Sequence, residues 1–440
     1  MGHPIQQIVI VHPWHDDNRG DCAILLGMLN VFYQRWPDAT ISLVSRFSDS
    51  DPAASDAYRH TCQAFPQLKV IPSPLWGYST ARHRWRPIEM LLSGAYALLC
   101  LVAMPTTASM EQLAQSDLIV MAGGHLRPVS HNQLKSLYLV FRTFYYLFWA
   151  QRWGIPYMLW SQSYDLRGLE ENNPTTGQSI KPAYSKIRLD ARLLAFVLSR
   201  AAAVLPREPL STQALLALNI PDVVTIADST FCVGSDATAP GLLSNYGLAN
   251  KRYWAITVKQ CSPVADSFLK EMAQLIQHVL ASSRADQIVL IAQSIGPTPE
   301  EDDRRANCQL LEHLTGSVRN QVTTIEDDLS PTQLSVLYRG AQLVVGTRLQ
   351  SVILALVAGT PAYAIAYTYP KTHGIMTMME MASLCTTVEA FSAETALAQI
   401  DAADLAHLRE QIPMRVSKLK QHTLDVFCRL DMTRSRSNPG

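Results

Sequence analysis

The chain has no Cys-x-x-Cys pair and no cysteine and histidine cluster at zinc spacing; its eight cysteines, at 22, 62, 100, 232, 261, 308, 385 and 428, stand singly. That spacing gives no sign of a structural zinc site, and free thiols in a reducing compartment are the expectation. No metal site and no cofactor are expected. Excess charge of either sign is also missing: Lys+Arg and Asp+Glu both number 37, with a pI of about 7.2. That removes the electrostatic footprint of a nucleic-acid binder and favours a small-molecule or sugar ligand. No apolar run reaches the roughly 20 residues that span a bilayer. Met90–Met104 is apolar for fifteen residues, and Leu137–Ala150 is fourteen residues of aromatics and aliphatics broken by Arg142. Both read as buried helices, with shallow membrane contact as the alternative for the first, which follows Arg82, Arg84 and Arg86. The start, MGHPIQQIVIVHPWHDDNRGD, lacks the basic residues, apolar core and small-residue cleavage site of a secretory signal. A cytoplasmic location, at the inner face of the membrane if the first segment touches it, is the expectation. Internal repeats and low-complexity tracts are absent too.

What the chain does have is alternation. Buried strands are predicted at Ile8–Val11, Thr40–Val44, Leu118–Met121, Pro156–Trp160, Ala203–Pro206 and Val223–Ala227, each followed by a loop and a helical stretch. After the Gly-, Ser- and Ala-rich segment Gly234–Leu248, strands resume at Tyr253–Val258, Gln287–Ile291, Val322–Ile325, Leu343–Val345 and Ala362–Ile365. This is an α/β chain with two Rossmann-like, doubly wound domains of parallel sheet. The expected organisation is 1–235, a linker at 236–250, 251–393, and a helical tail at 394–440. Ligands of open α/β sheets sit beyond the C-terminal ends of strands, so the natural site is a cleft between the domains.

Val344–Tyr367, VVGTRLQSVILALVAGTPAYAIAY, is the densest signal. A strand end, the turn Gly346-Thr347, and a helix from Ser351 closed by Gly359 and Pro361 place Arg348 at a helix N-terminus. Unpaired N–H groups and a guanidinium there suit a phosphate or carboxylate. An arginine paired to a neighbouring acid is the alternative use of the same turn. The loop Ala366–Gly374, directly after the next strand, is expected to bring Lys371 and His373 beside Arg348.

Other strand-end loops add candidates. Asn18, Arg19 and Gly20 lead to Asp21 at a helix start, a cap or a general base. Gly123 and Gly124 allow close backbone approach, and His125 follows them as a proton carrier or a turn residue. Gln162 and Ser163 follow a strand, as do Gly296 and Pro297, and these are candidate lining residues. The acids Glu300 to Asp303 read mostly as solvated acids at a helix start, and Ser330-Pro331 as a helix cap.

NRGDCAIL, VMAGGHL, GPTPEEDDR and LVVGTRLQSVILALVAGTPAYAIAYTYPK, in this order and spacing, resemble the polysaccharide pyruvyl transferase family, in particular its colanic acid and exopolysaccharide branch. The resemblance runs from about residue 8 to about residue 380 and is weak from 50 to 110. It implies a GT-B-like layout and transfer of pyruvate from phosphoenolpyruvate to two hydroxyls of one sugar, forming a cyclic ketal. It also implies an acceptor often carried on lipid at the cytoplasmic membrane face. Arg348 and Lys371 match the family's cationic positions, and with them Gly346, Thr347, Leu349, Gln350, Ser351 and Tyr367 are assigned to the donor side; the strand-end reading adds Asp21, His125 and His373 as candidate proton carriers. The acceptor side takes Asn18, Arg19, Gly20, Gly123, Gly124, Gln162, Ser163, Gly296 and Pro297. One position departs: the family's Arg-Leu-His-Ser has Gln350 in place of histidine, and glutamine cannot exchange a proton near neutral pH. Three outcomes are open: His125 or His373 supplies the proton, the donor or reaction differs, or the protein binds without catalysing. A GT-B glycosyltransferase using a nucleotide sugar is the competing enzymatic reading.

Overall fold

The computed structural model describes residues 5–47, 51, 54, 56–75, 86–103, 107–166, 188–234, 239, 241–260, 265–368 and 370–431. Arg82, Arg84, Met104, Tyr369 and part of the expected linker, 236–238 and 240, lie outside them. The chain forms two compact units. The first comprises Met1–Trp14, Val31–Asp228 and His422–Gly440, and the second His15–Asn30 and Ser229–Gln421.

The first unit is built on β1 (Gln7–Val11), β2 (Thr40–Val44), β3 (Lys69–Ile71), β4 (Leu118–Met121), β5 (Gly124–Leu126), β6 (Tyr157–Tyr164) and β7 (Ala203–Pro206). All pairs are parallel, in the order β3-β2-β1-β4-β6, with β5 and β7 also paired to β6. Both faces of the central strands are covered, so these strands are continuously apolar rather than alternating. The stretch Val223–Ala227 is not the strand its composition predicts. It makes one isolated bridge, Val204 to Val223, and two further backbone bonds to β7, from Val224 to Val204 and from Ile226 to Pro206. The Ala227 N–H then turns to the Thr423 hydroxyl, 2.9 Å away, so the ladder does not continue. β3 and β5 are three residues each, too short to carry a period in the sequence.

The two apolar segments part company. Leu137–Ala150 lies in the helix Gln133–Arg152, which buries Val140, Phe144, Tyr145, Leu147, Trp149 and Ala150. The helix Arg86–Val102 buries Ala97 and Cys100 but exposes Ile88, Leu91, Leu92, Leu98, Leu99 and Val102, with Leu91 at 74% and Val102 at 77%. These six recur at three- and four-residue spacing, which puts them on one helix face. Among the described residues no helix is long and apolar enough to cross a membrane.

The second unit repeats the plan with β8 (Tyr253–Thr257), β9 (Gln287–Ile291), β10 (Val322–Ile325), β11 (Leu343–Gly346), β12 (Ala362–Ala366) and β13 (Cys385–Thr387), all parallel, in the order β10-β9-β8-β11-β12-β13. The segment His15–Asn30 joins this unit through its backbone. Arg19 N–H donates to the Gln293 carbonyl at 3.1 Å, Ile295 N–H donates to Asp17 at 2.9 Å, and Asn18 bridges Ser294. Chain order alone would assign these residues to the first domain. Ser330 caps the helix Pro331–Gly340 in a full capping box with Gln333, as Ser330-Pro331 predicts. The tail forms two helices, Ala393–Ala402 and Leu405–Arg429.

Candidate functional site

In the second sheet the strand order reverses between β8 and β11, which are neighbours although two strands separate them in the chain. The loops leaving their C-terminal ends diverge there, opening the position where α/β sheets bind ligands. Lys259 follows β8, Thr347 and Arg348 follow β11, and Tyr367 to Lys371 follow β12.

Four residues of the turn are framework. Gly346 sits so close to the following helix that a Cβ would lie 2.8 Å from Ser351 Oγ and from Val352 Cγ2. The Thr347 hydroxyl donates to the Thr257 carbonyl at 3.0 Å. Ser351 Oγ donates to the Arg348 carbonyl at 2.6 Å and lies 2.7 Å from Thr257 Oγ1. Leu349 is in the core. Expected on the donor side, these side chains instead fix the geometry of the turn.

Arg348 makes the pairing that the sequence left as an alternative. Its Nη2 donates to Asp303 Oδ1 at 2.6 Å and to the Glu301 carbonyl at 3.1 Å, and its Nε donates to Asp303 Oδ2 at 3.1 Å. Both partners are buried. Burial works to lower the Arg348 pKa, but the Asp303 carboxylate and Tyr367 outweigh it and hold the guanidinium firmly charged. Burial raises the Asp303 carboxyl in turn, with Arg348 pulling the other way. Asp303 is thus not one of a row of solvated acids; it also accepts from Ser294 N–H at 3.0 Å. Asp302 does the capping, accepting from Arg304 N–H. Arg348 Nη1 has no protein partner among the described residues, which leaves one donor edge for a ligand.

The open cationic chemistry lies at Lys371. It is 6% exposed, and its ammonium donates to Tyr367 Oη at 3.1 Å. Among the described residues no carboxylate pairs with it. A buried ammonium without a counter-ion is costly, and an incoming anion removes that cost. Lys371 Nζ lies 4.6 Å from the Tyr367 ring centroid and Lys259 Nζ 5.4 Å from it. Burial acts to raise the Tyr367 pKa, but Lys371, Arg348 and Lys259 together override it and bring the phenol down to about 8. A group made acidic by surrounding cations marks a strongly positive site.

The segment Asn18–Asp21 packs on this site's edge. A Cβ on Gly20 would lie 3.0 Å from Gln350 Cβ, so glycine lets the two segments touch. Asn18 accepts from Gly20 N–H at 3.1 Å and donates to the Asp21 carboxylate. Arg19, expected to line the acceptor side, is fully buried. It donates to the carbonyls of Leu329 and Asp17 and to the Asp328 carboxylate, holding the loop that follows β10. Gly296 has φ of 153° and a Cβ there would come within 3.0 Å of Asp17 Oδ2; Pro297 follows it half-buried.

His373 does not join Lys371 and Tyr367. Two residues along the helix Lys371–Met378, it projects from a different side and meets Cys385 Sγ at 3.4 Å through Nδ1. In the first unit, Gly124 and His125 lie on β5 opposite Gln162 and Ser163 of β6, with Gly123 just before them, half-buried. Gln162 and Ser163, expected to line the acceptor side, are instead wholly buried. Gln162 donates to the Ala122 carbonyl and accepts from Tyr164, and Ser163 accepts from Arg207, itself paired to Asp228. Two residues of the cationic site escape sequence reasoning. Lys259 follows β8 by the same strand-end rule that selects Arg348, while Asp303 is hidden in an acidic run. Among the described residues no group of three or more His, Cys, Asp or Glu could hold a metal ion.

Comparison with known proteins supplies the context. Amylovoran biosynthesis protein AmsJ of Erwinia amylovora is 23% identical over 406 residues, covering 87% of this chain and 88% of that protein. Among solved structures, Anabaena Alr3699/HepE in complex with UDP and glucose superposes with a TM-score of 0.54 at 13% identity, over 97% of this chain and 100% of that one. S. aureus MnaA with UDP gives 0.54 at 10% identity, over 99% and 100%. These likenesses establish the fold, two parallel-sheet α/β domains of the GT-B kind. The sequence model of polysaccharide pyruvyl transferases matches residues 18–369, which takes in the strand, turn and helix around Arg348 as well as Tyr367. The chain belongs to the polysaccharide pyruvyl transferase family, transferases of polysaccharide biosynthesis.

Proposed function

We propose that this chain transfers a pyruvyl group from phosphoenolpyruvate to two hydroxyls of one sugar in a polysaccharide precursor, releasing phosphate and closing a ketal. The observation that carries the reading is the buried Lys371 ammonium, which has no carboxylate partner among the described residues and lies beside Tyr367 at a strand-order switch. Phosphoenolpyruvate brings two anionic groups on a three-carbon frame. Lys371, Lys259 and the Nη1 edge of Arg348 are the cations that receive them, and Gln350 orients the donor by hydrogen bonding. Asp21, next to the Gly20 that packs on Gln350, is the base for an acceptor hydroxyl. The exposed apolar face of the helix Arg86–Val102 suits shallow contact with the inner membrane surface, where a lipid-linked acceptor would be presented.

The test is incubation with phosphoenolpyruvate and candidate sugar diols, following phosphate release and the ketal methyl signal by NMR. Release together with a ketal supports the reading. Absence of release with every acceptor, together with no thermal shift from phosphoenolpyruvate, would sink it. A second reading, transfer from a nucleotide sugar, draws on the UDP present in two of the similar structures. It predicts that UDP, and not phosphoenolpyruvate, raises the melting temperature. Binding of phosphoenolpyruvate without turnover of any acceptor would instead indicate a binding relative.

A further inference from the structure

Tyr367 stands apart from the other aromatic residues of the second unit. It leaves the end of β12 half-buried, and its hydroxyl accepts from Lys371, which is itself nine-tenths buried. Cations approach it from three elements: Lys371 from the helix behind it, Lys259 from the end of β8, and Arg348 from the end of β11. The acids that face this cluster through Arg348 are Asp303, bonded to its guanidinium, and Glu301, whose carbonyl accepts from it. A phenol with its own O–H, set among anion-binding cations and reachable from solvent, is placed to hand a proton to whatever anion those cations hold. The other titratable side chain of this helix, His373, is turned to Cys385.

We infer that Tyr367 is the proton donor of this site, with Lys371 holding its oxygen and binding the anionic substrate. The inference rests on the transferase reading above. With phosphoenolpyruvate bound, the electron pair of C2=C3 forms a new C–H bond at C3 with the Tyr367 proton. The first sugar hydroxyl oxygen then bonds to C2 and passes its proton to the tyrosinate. The bond from C2 to the phosphate oxygen breaks, the second hydroxyl closes the ketal, and its proton leaves on the phosphate. Two hydroxyl protons are consumed, one ending in the methyl group by way of Tyr367 and one on hydrogen phosphate.

The charge arrangement gives this donor a built-in control. Lys371, Arg348 and Lys259 draw the phenol down to about 8 against burial. A bound anion offsets those cations and raises the phenol again, so at mildly alkaline pH the phenol regains its proton as the substrate arrives. Binding therefore loads the acid.

The experiment is ultraviolet difference titration of the phenolate band in the full chain and in Tyr367→Phe, with and without phosphoenolpyruvate or inorganic phosphate, alongside turnover. The wild type should show one phenolate ionising near pH 8 that Tyr367→Phe lacks, and either anion should bleach it at mildly alkaline pH. Tyr367→Phe should still bind phosphoenolpyruvate within about threefold, since Lys371 remains, while turnover falls roughly 100-fold or more, the usual worth of a positioned acid. It should also lose the alkaline limb of the rate profile. Bound phosphoenolpyruvate with no bleaching, or Tyr367→Phe turning over like the wild type, overturns the inference and leaves the transferase reading standing. Bleaching by both anions with no phosphate released from any acceptor sinks the transferase reading while Tyr367 stays the proton carrier of the site. If neither anion binds, both fall.

Discussion

Lys371 and Arg348 are both buried cations at strand ends, yet they do opposite things. Arg348 has spent most of its donors on Asp303 and Glu301 and serves as a fixed positive wall. Replacing Asp303 with Asn strands that charge, and breaking one side of a buried pair costs about 3–5 kcal/mol, to be read by urea denaturation. Lys371→Met should do the reverse. It removes an ammonium that no described carboxylate balances, so stability should hold or rise, while phosphoenolpyruvate affinity drops about 10- to 100-fold for one lost charge-assisted contact. Calorimetry beside a melting curve separates the two effects. Tyr367 adds a pH signature. Its phenol ionises at about 8 in the fold against 10.0 ordinarily, so between those values the native state binds fewer protons than the unfolded chain. Stability of the wild type relative to Tyr367→Phe should then grow as pH rises through that window and vanish below it. Arg348 and Lys371 were legible in the sequence from their strand ends, and Lys259 obeys the same rule although nothing else in its loop draws attention to it. Their partners were not: no local pattern tells that Asp303, and not its three acidic neighbours, returns to Arg348 across 45 residues.

At the scale of elements, strand composition was a good guide where the strand is central and covered on both faces. Thr40–Val44, Leu118–Met121 and Gln287–Ile291 are read off directly because burial there favours apolar runs. Edge strands of three residues such as β3 and β13 carry no such demand, and Val223–Ala227 satisfies the composition without forming a ladder. The first helix shows a constraint of another kind. Gly27 lies in Arg19–Arg35 where a Cβ would sit 1.8 Å from the Ser229 carbonyl oxygen, backbone that cannot yield as a side chain could. Gly27→Ala should therefore lower stability by about 1–3 kcal/mol or more despite its gain in helix propensity, measurable by thermal melting. Loss of that packing would also move Gly20 off Gln350, so anion affinity should fall with it.

Over the whole molecule, each sheet reverses its strand order once, and the second places Lys259 and Arg348 at its reversal, with Tyr367 and Lys371 leaving the next strand over. The two-domain α/β plan was visible because strand and helix alternate throughout. The membership of His15–Asn30 in the second unit was not, since it rests on backbone bonds to Gln293, Ser294 and Ile295 made far along the chain. Binding of a phosphorylated and carboxylated donor through Lys371 can be measured without knowing the acceptor. Isothermal titration with phosphoenolpyruvate and, separately, with UDP on the wild type and Lys371→Met tests it most directly. The expected result is one phosphoenolpyruvate bound per chain, with affinity reduced at least about 10-fold in the variant. Equal affinity in both proteins, or binding of UDP alone, would contradict it.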